Sequence, residues 1–570
     1  MQSVGVKTFI SLSLITIISG LFEARAELPP VPVPIENPIT EAKRVLGKIL
    51  FWEEQLSSDN TVACGTCHIP ASGGADPRQS SHPGPDLTFG TADDVIGSPG
   101  VVQLDDNIQP LENPQFGFSR QVTARAAPGI TMSMYDDDLF WDGRAESAFI
   151  NPQDGNEVVI AQGGALESQA VGPILSSVEM AHAGRSWEDV ISKLETVTPL
   201  ELARNIPPDM VTALEISPDY PDLFSLAFGD AEITPVRIGM AIASYERTLV
   251  PDQTPWDLYM AGDETAMTES QIAGWTSFSE QTICDNCHIP PEFTDHAYHN
   301  IGLRPAADDN GRQAVTNDAD DFGRFKTPSL RNAGLKKSLM HVGWITGIQD
   351  SIDFYNANAD ADNGIVNPHT QFLDNQTGIP TANPNQFVDY DTLSMFSNAN
   401  NPQRGKDMQA TVADFIGNGL TDPRVAAEMF PFDRPTLGSE MTPVFVPVTA
   451  FSGSWYDIKH DGEGWLIEIT SNNQGVITWY TYDGEGNQVW LLGVGVIQDN
   501  TIDIADMLIT SGDVFGPLFD PDAVVLEPWG SLLVEFIDCN SANFTYRSSA
   551  GTGVLHATRL TALSGLGCSQ

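Results

Sequence analysis

Apolar residues recur at helical spacing after Thr40. Ala42, Val45, Leu46, Ile49 and Leu50 share one side of a helix that takes Thr40 as its cap and runs to Phe51. A longer helix-rich run extends from Ser186 to Val250. Its clearest member is Pro235–Leu249, where Val236, Ile238, Met240, Ala241 and Ile242 form much of the buried surface. Ser270–Phe278 predicts another helix. Two stretches, Gly73–Gly117 and Asn356–Arg404, are rich in Gly, Pro, Asp or Asn and read as long loops. The pattern changes near Pro435. From Thr449 onward, short alternating runs of Trp, Tyr, Val, Ile and Thr are separated by Asp-Gly, Glu-Gly and Asn-Gln signals. Gly475–Leu492 reads as a hairpin. The expected fold class is therefore mainly α, followed by a separate all-β domain at 445–570. The tryptophans of that domain, Trp455, Trp465, Trp479, Trp490 and Trp529, are expected to fill the core of a sandwich or to form a binding surface.

The N-terminus adds a compartment. Lys7 precedes a mostly apolar run, Phe9–Phe22, and then Ala24-Arg25-Ala26. This is the pattern of a signal peptide, residues 1–26, cut before Glu27. A Pro-rich tether, Leu28–Pro38, follows. No later stretch is long and apolar enough to span a bilayer, so the mature chain is expected to be periplasmic or secreted. The 570 residues suggest two to four domains. With 28 basic and 76 acidic residues, the net charge is −48. Phosphate repels such a surface, which excludes nucleic acid as a partner. The charge speaks mainly to solubility, and it favours approach by a basic or neutral partner.

The chemistry lies in the cysteines. Four of the six form Cys64-Gly-Thr-Cys67-His68 and Cys284-Asp-Asn-Cys287-His288. A zinc site needs four ligands, and His directly after the second Cys is an awkward fourth. A thioredoxin-like pair would not recur with His at the same offset. Cys-X-X-Cys-His is the attachment pattern of c-type haem. The thiols add across the haem vinyl groups, and His68 and His288 are placed to be axial ligands. Two covalently bound haem c groups are expected. Cys539 and Cys568 remain, and in an oxidising compartment they are expected to form a disulfide.

Ordered motifs surround these sites. Leu46–Phe51 precedes the first, and Phe140-Trp141-Asp142-Gly143-Arg144 follows it. Then come Gln169, Gly172-Pro173, Val178-Glu179-Met180 and Tyr245-Glu246-Arg247-Thr248-Leu249. After the second site come Phe293-Thr294-Asp295, His299–Gly302, Lys326–Asn332, Met340–Gly343 and Asp353–Asn356. In this order the chain resembles the bacterial dihaem cytochrome c peroxidase and MauG family over about residues 40–425.

The resemblance implies two all-helical, cytochrome-c-like domains: an N-terminal peroxidatic haem domain at 27–250 and a C-terminal electron-transfer haem domain at 251–435. It implies that Trp141 lies between the haems, and that Glu179 and Gln169 face the peroxidatic one. Tyr355, fourteen residues after His341, stands where the peroxidase branch carries an axial Met and the MauG-like branch a Tyr. Met395 and Met408 are alternative ligands. His82 lies near the loop that can hold a distal His at rest. The family's interdomain calcium uses an Asn where this chain has Ala126, although Asp86, Asp93 and Asp94 offer other ligands. Between Arg144 and Gln169 the chain carries an insertion, Ala145–Leu166.

The function so implied is peroxide reduction at the N-terminal haem. Electrons would come through the C-terminal haem from a small cytochrome c or cupredoxin, or from an organic or protein reductant. A non-catalytic dihaem electron carrier and an oxygenase acting on an organic or polymer substrate are the competing readings.

Overall fold

The computed structural model describes residues 27–360, 402–561 and 563, apart from 107, 109, 110, 118, 283, 442–447, 458, 459, 461, 471–473, 499, 513–518, 537–540 and 550. The signal peptide, Met395, Cys539 and Cys568, and with them the expected disulfide, lie outside these residues. The described chain falls into two compact units. One lies within Met1–Gln109 and Arg120–Leu437, and the other within Gly438–Gln570 together with Pro110–Ser119.

The first unit is built on helices α1 (Glu41–Phe51), α2 (Ala165–Val171), α3 (Pro235–Glu246), α4 (Glu269–Glu280), α5 (Ile348–Asp360) and α6 (Pro402–Asp414), with further helices between them. Thr40 caps α1 by accepting from the Lys43 N–H. The α1 helix crosses α3 at Gly47, where a Cβ would run into the Ala241 carbonyl. Gly274 of α4 meets the Thr411 carbonyl of α6 in the same way. Each crossing anchors a hydrophobic core. One contains Leu46, Ile49, Ile238 and Ile242; the other contains Trp256, Phe278, Phe293 and Phe415.

Sequence and structure part in three places. The expected all-helical haem portion also carries four two-stranded antiparallel ribbons: Ser80–His82 with Val95–Gly97, Pro99–Val102 with Arg120–Val122, Phe149–Ile150 with Val158–Ile160, and Tyr298–His299 with Phe325–Lys326. Strands of two to four residues are too short to show a period of two. The third ribbon occupies the insertion. Second, α5 and α6 reach into both ends of the stretch expected to be loop. Third, Val425, Phe432 and Leu437 pack into the first core, although they follow the second haem motif in sequence. Buried Lys48 of α1 holds this return in place through ion pairs to Asp209 and Asp433.

The second unit is a closed eight-stranded barrel, not a sandwich. Strands β1 (Gly453–Tyr456), β2 (Gly464–Ile469), β3 (Gln474–Tyr482), β4 (Gln488–Gln498), β5 (Thr501–Ser511), β6 (Val525–Phe536), β7 (Ser541–Ser548) and β8 (Gly551–Arg559) pair in chain order. Strand β1 then pairs with β8 and seals the edges. Trp455, Trp465 and Trp479 fill the inside. Trp490 instead faces outward and is 46% exposed. Alternation describes a sandwich and a barrel equally well; only the pairing of the first and last strands separates them.

Candidate functional site

Both Cys-X-X-Cys-His segments fold alike. Cys64–Cys67 is a single helical turn, closed by Thr66 Oγ1 accepting from the Ala63 N–H at 2.8 Å. His68 N–H bonds to Cys64 O at 3.2 Å, and His288 N–H bonds to Cys284 O at 2.9 Å. The His68 Nδ1–H donates to Gly74 O at 3.0 Å, and the His288 Nδ1–H donates to Phe293 O at 3.1 Å. A carbonyl can only accept, so Nδ1 carries the proton in both rings and Nε2 keeps its lone pair for a metal. Burial pulls both imidazoles below their ordinary range, which keeps them neutral. Burial also pushes the Cys64 thiol up to about 12 and Cys284 up to about 11. These are protonated thiols, not zinc-binding or redox-active thiolates.

Each segment opens on a cavity. The first holds about 630 Å³ and is lined by Cys64, Cys67, His68, Gln169, Glu179 and Glu246, among others. That is a common size for a ligand pocket. The second holds about 140 Å³ and is lined by Cys284, Cys287, His288, Phe325, His341 and Tyr355, among others. The cavities share a wall that includes Trp141, Arg304, Lys326 and Lys336. The Trp141 Nε1–H donates to Ala126 O at 2.8 Å, which fixes the indole in that wall.

Gln169, from α2, and Glu179 thus face one cavity, and both are half-buried. Glu179 sits on a turn where its N–H bonds to Ser176 O at 3.1 Å. The neighbouring Met180 O accepts from the Ser58 N–H at 2.8 Å. His82 lines the same cavity, and its Nδ1 accepts from the Gly84 N–H at 3.1 Å. Tyr355, on α5, lines the second cavity, and burial pushes its hydroxyl well above its ordinary range. Met408 packs against the core of Trp256 and Phe415. Asp93 accepts from the Asp86 N–H and Asp94 from the Gly90 N–H, so both are engaged within their own loop. Among the described residues, the one close grouping of His, Cys, Asp and Glu ligand atoms is Cys287, Asp295 and His299.

Sequence reasoning gave no role to four groups in these walls. Glu246 is buried in the first cavity, with Oε2 lacking a partner. It follows Ile238 and Ile242 at four-residue steps on the apolar face of α3, a spacing that marks it as buried. Arg304 is 5% exposed, with Nε and Nη2 unpartnered. Asp308 approaches that Nη2 only to 3.9 Å. Burial holds Lys336 down to about 8. His341 stacks on Phe325 with ring centroids 3.6 Å apart, its Nε2 unpartnered and its pKa pulled down to about 3 by burial. The last three lie in irregular segments, where no periodicity signals burial.

The family model described as di-haem cytochrome c peroxidase matches residues 41–265. The methylamine utilization protein MauG of Methylophilus methylotrophus is 32% identical over 363 residues, covering 61% of this chain and 85% of that protein. The cytochrome c551 peroxidase of Pseudomonas aeruginosa is 27% identical over 343 residues, covering 58% and 77%. The crystal structure of a MauG-like protein associated with microbial copper homeostasis aligns with 71% of this chain and 96% of its own, at 21% identity and a TM-score of 0.46. The chain belongs to the dihaem cytochrome c peroxidase and MauG family. It is an enzyme of the dihaem cytochrome c peroxidase type.

The family implies covalently bound c-type haem, and the residues present fit it. Each cavity offers two thiols and an imidazole Nε2 with a free lone pair. Haem also carries carboxylates. The orphaned donors of Arg304 and the un-neutralised Lys336, in the wall common to both cavities, are groups that carboxylates would satisfy.

Proposed function

We propose that this chain is an exported dihaem oxidoreductase that reduces hydrogen peroxide in the first cavity, with electrons relayed through the second. Cys64, Cys67 and His68 would hold one haem, and Cys284, Cys287 and His288 the other. When bound, the haem irons supply the electron transfer and the coordination site for peroxide. The observation that carries this reading is the placement of a carboxylate and an amide, Glu179 and Gln169, in the roomy cavity that also holds His68.

Glu179 handles the proton. Peroxide must lose a proton from one oxygen and gain one on the other as the O–O bond breaks. A half-buried carboxylate lining that cavity can carry that proton between them. Gln169 would orient the peroxide through its amide. Trp141, fixed in the shared wall, gives electrons a short path between the cavities. Tyr355, which lines the second cavity, would be the residue to give its haem a hard oxygen ligand, a donor type that favours oxidised iron. The reductant is a small cytochrome c or cupredoxin, or an organic or protein donor, met in the periplasm or outside the cell. The barrel serves as an accessory or binding module.

Glu179→Gln keeps the size and hydrogen bonding of the side chain but removes the proton shuttle. Turnover with peroxide should fall by about 10²–10⁴, with two haems still bound. Wild-type turnover with unchanged spectra would overturn the assignment.

A further inference from the structure

Glu246 ends α3 and lines the first cavity, as do Cys64 and Glu179. It is only 2% exposed, and its Oε2 meets no donor. A buried carboxylate without a donor is expensive, so such a group keeps its proton or is given a cation. Among the described residues, no cation near it is free to serve. The adjacent Arg247 is committed to Glu167 of α2 through two hydrogen bonds, at 2.7 and 2.8 Å. On α1, which packs against α3, Lys48 is held by Asp209 and Asp433, Arg44 by Glu41 and Asp209, and Lys43 by the Asn37 side chain. The remaining groups nearby are neutral or acidic: the Tyr245 hydroxyl, the Cys64 sulfur, His68 and Glu179. Burial, with Arg247 opposing and Glu167 reinforcing, raises Glu246 to about 8.

We propose that Glu246 is a redox-linked proton site: it takes up a proton when the haem carried by Cys64, Cys67 and His68 gains an electron, and releases it when that electron leaves. This rests on the proposed haem in the first cavity. The electron comes from the external one-electron donor and the proton from water. The carboxylate becomes a carboxylic acid as the iron charge falls by one, so the net charge of the cavity does not change. The physical basis is Coulombic. Because Glu246 is buried, a unit change of charge on the iron would act strongly on its unpaired carboxyl. Two-electron reduction of peroxide to two waters consumes two protons. Glu179 moves a proton between the peroxide oxygens, and Glu246 lets an electron enter together with a proton.

The test is spectroelectrochemical titration of the intact two-haem protein at several pH values, comparing wild type with Glu246→Gln. Gln mimics the protonated acid and so suits the buried site. In wild type, the midpoint potential of the first haem should fall as pH rises through the region of 8. The full slope is about 59 mV per tenfold change in proton concentration for a one-electron couple. In Glu246→Gln the slope over that region should be at least halved, and the potential should lie above wild type at alkaline pH. The redox-induced infrared difference spectrum of wild type should show a carboxylic acid band appearing on reduction, which the variant lacks. Equal slopes in the two proteins, or no carboxyl signal in wild type, would overturn the proposal. Should Glu246→Gln not fold, the wild-type infrared spectrum still decides. Failure of the protein to retain haem at the first motif would instead defeat the reading on which the proposal rests.

Discussion

The two Cys-X-X-Cys-His segments set nearly the same local geometry, yet they look onto different surroundings. The first faces about 630 Å³ lined by Gln169, Glu179 and Glu246. The second faces about 140 Å³ in which aromatic Phe325 and Tyr355 and a buried, neutral His341 stand close. The attachment motif decides where a haem is tethered; the walls decide what it can do. A roomy wall with proton-carrying groups suits a small substrate. A tight wall that includes a tyrosine hydroxyl suits the proposed electron storage or relay.

The sharpest way to break this contrast is to remove chemistry from one side only. Glu179→Gln should produce the largest effect, the loss of about 10²–10⁴ in peroxide turnover. Tyr355→Phe should act next, and elsewhere. It should open the second iron or bring in another ligand, changing the optical and EPR signals of that haem and destabilising its most oxidised state, while the signals of the first haem stay as they were. A sulfur ligand on that iron, with Tyr355 packed away from it, would remove the oxygen-ligand part of the account.

The smallest effect concerns a clamp whose Asp136 also pairs with Lys326 of the shared wall. His296 lies 2.7 Å from Asp136 and 2.8 Å from Glu292. Burial pulls its pKa down, but the two carboxylates outweigh this and hold the imidazolium up to about 9. A folded pKa above the unfolded value means that the contribution is complete below about pH 6.5 and is lost as pH rises through 9. The Tm should therefore drop by on the order of 1–2 °C between pH 7 and 10 through this group. His296→Gln should lose that part of the drop. An identical pH profile in the variant would show that the clamp contributes nothing measurable.

These sites were legible in the sequence to different depths. Cys64–His68 and Cys284–His288 stand out because covalent attachment demands fixed spacing, and no tertiary context is needed to read it. Helix α1 shows through Thr40 and its apolar stripe, since both are local. Glu246 was within reach of the same reasoning, four and eight residues from Ile242 and Ile238. Arg304, Lys336 and His341 were not, because they are buried by segments distant in sequence. The barrel escaped for a related reason: its closure rests on β1 meeting β8, a pairing across the whole domain that alternation within strands does not encode. The return of Phe432 and Leu437 to the first core depends likewise on partners far away, among them Lys48, which pairs with Asp433.

Ligand titration of the oxidised two-haem protein tests the central contrast most directly. Cyanide is small enough for the first cavity and binds ferric iron tightly. Followed by EPR and optical spectra, one cyanide per chain should bind, converting the signal of the His68-side haem and leaving the His288-side haem unchanged. Binding at both irons, or at the His288 side alone, would contradict the division of labour between the two cavities.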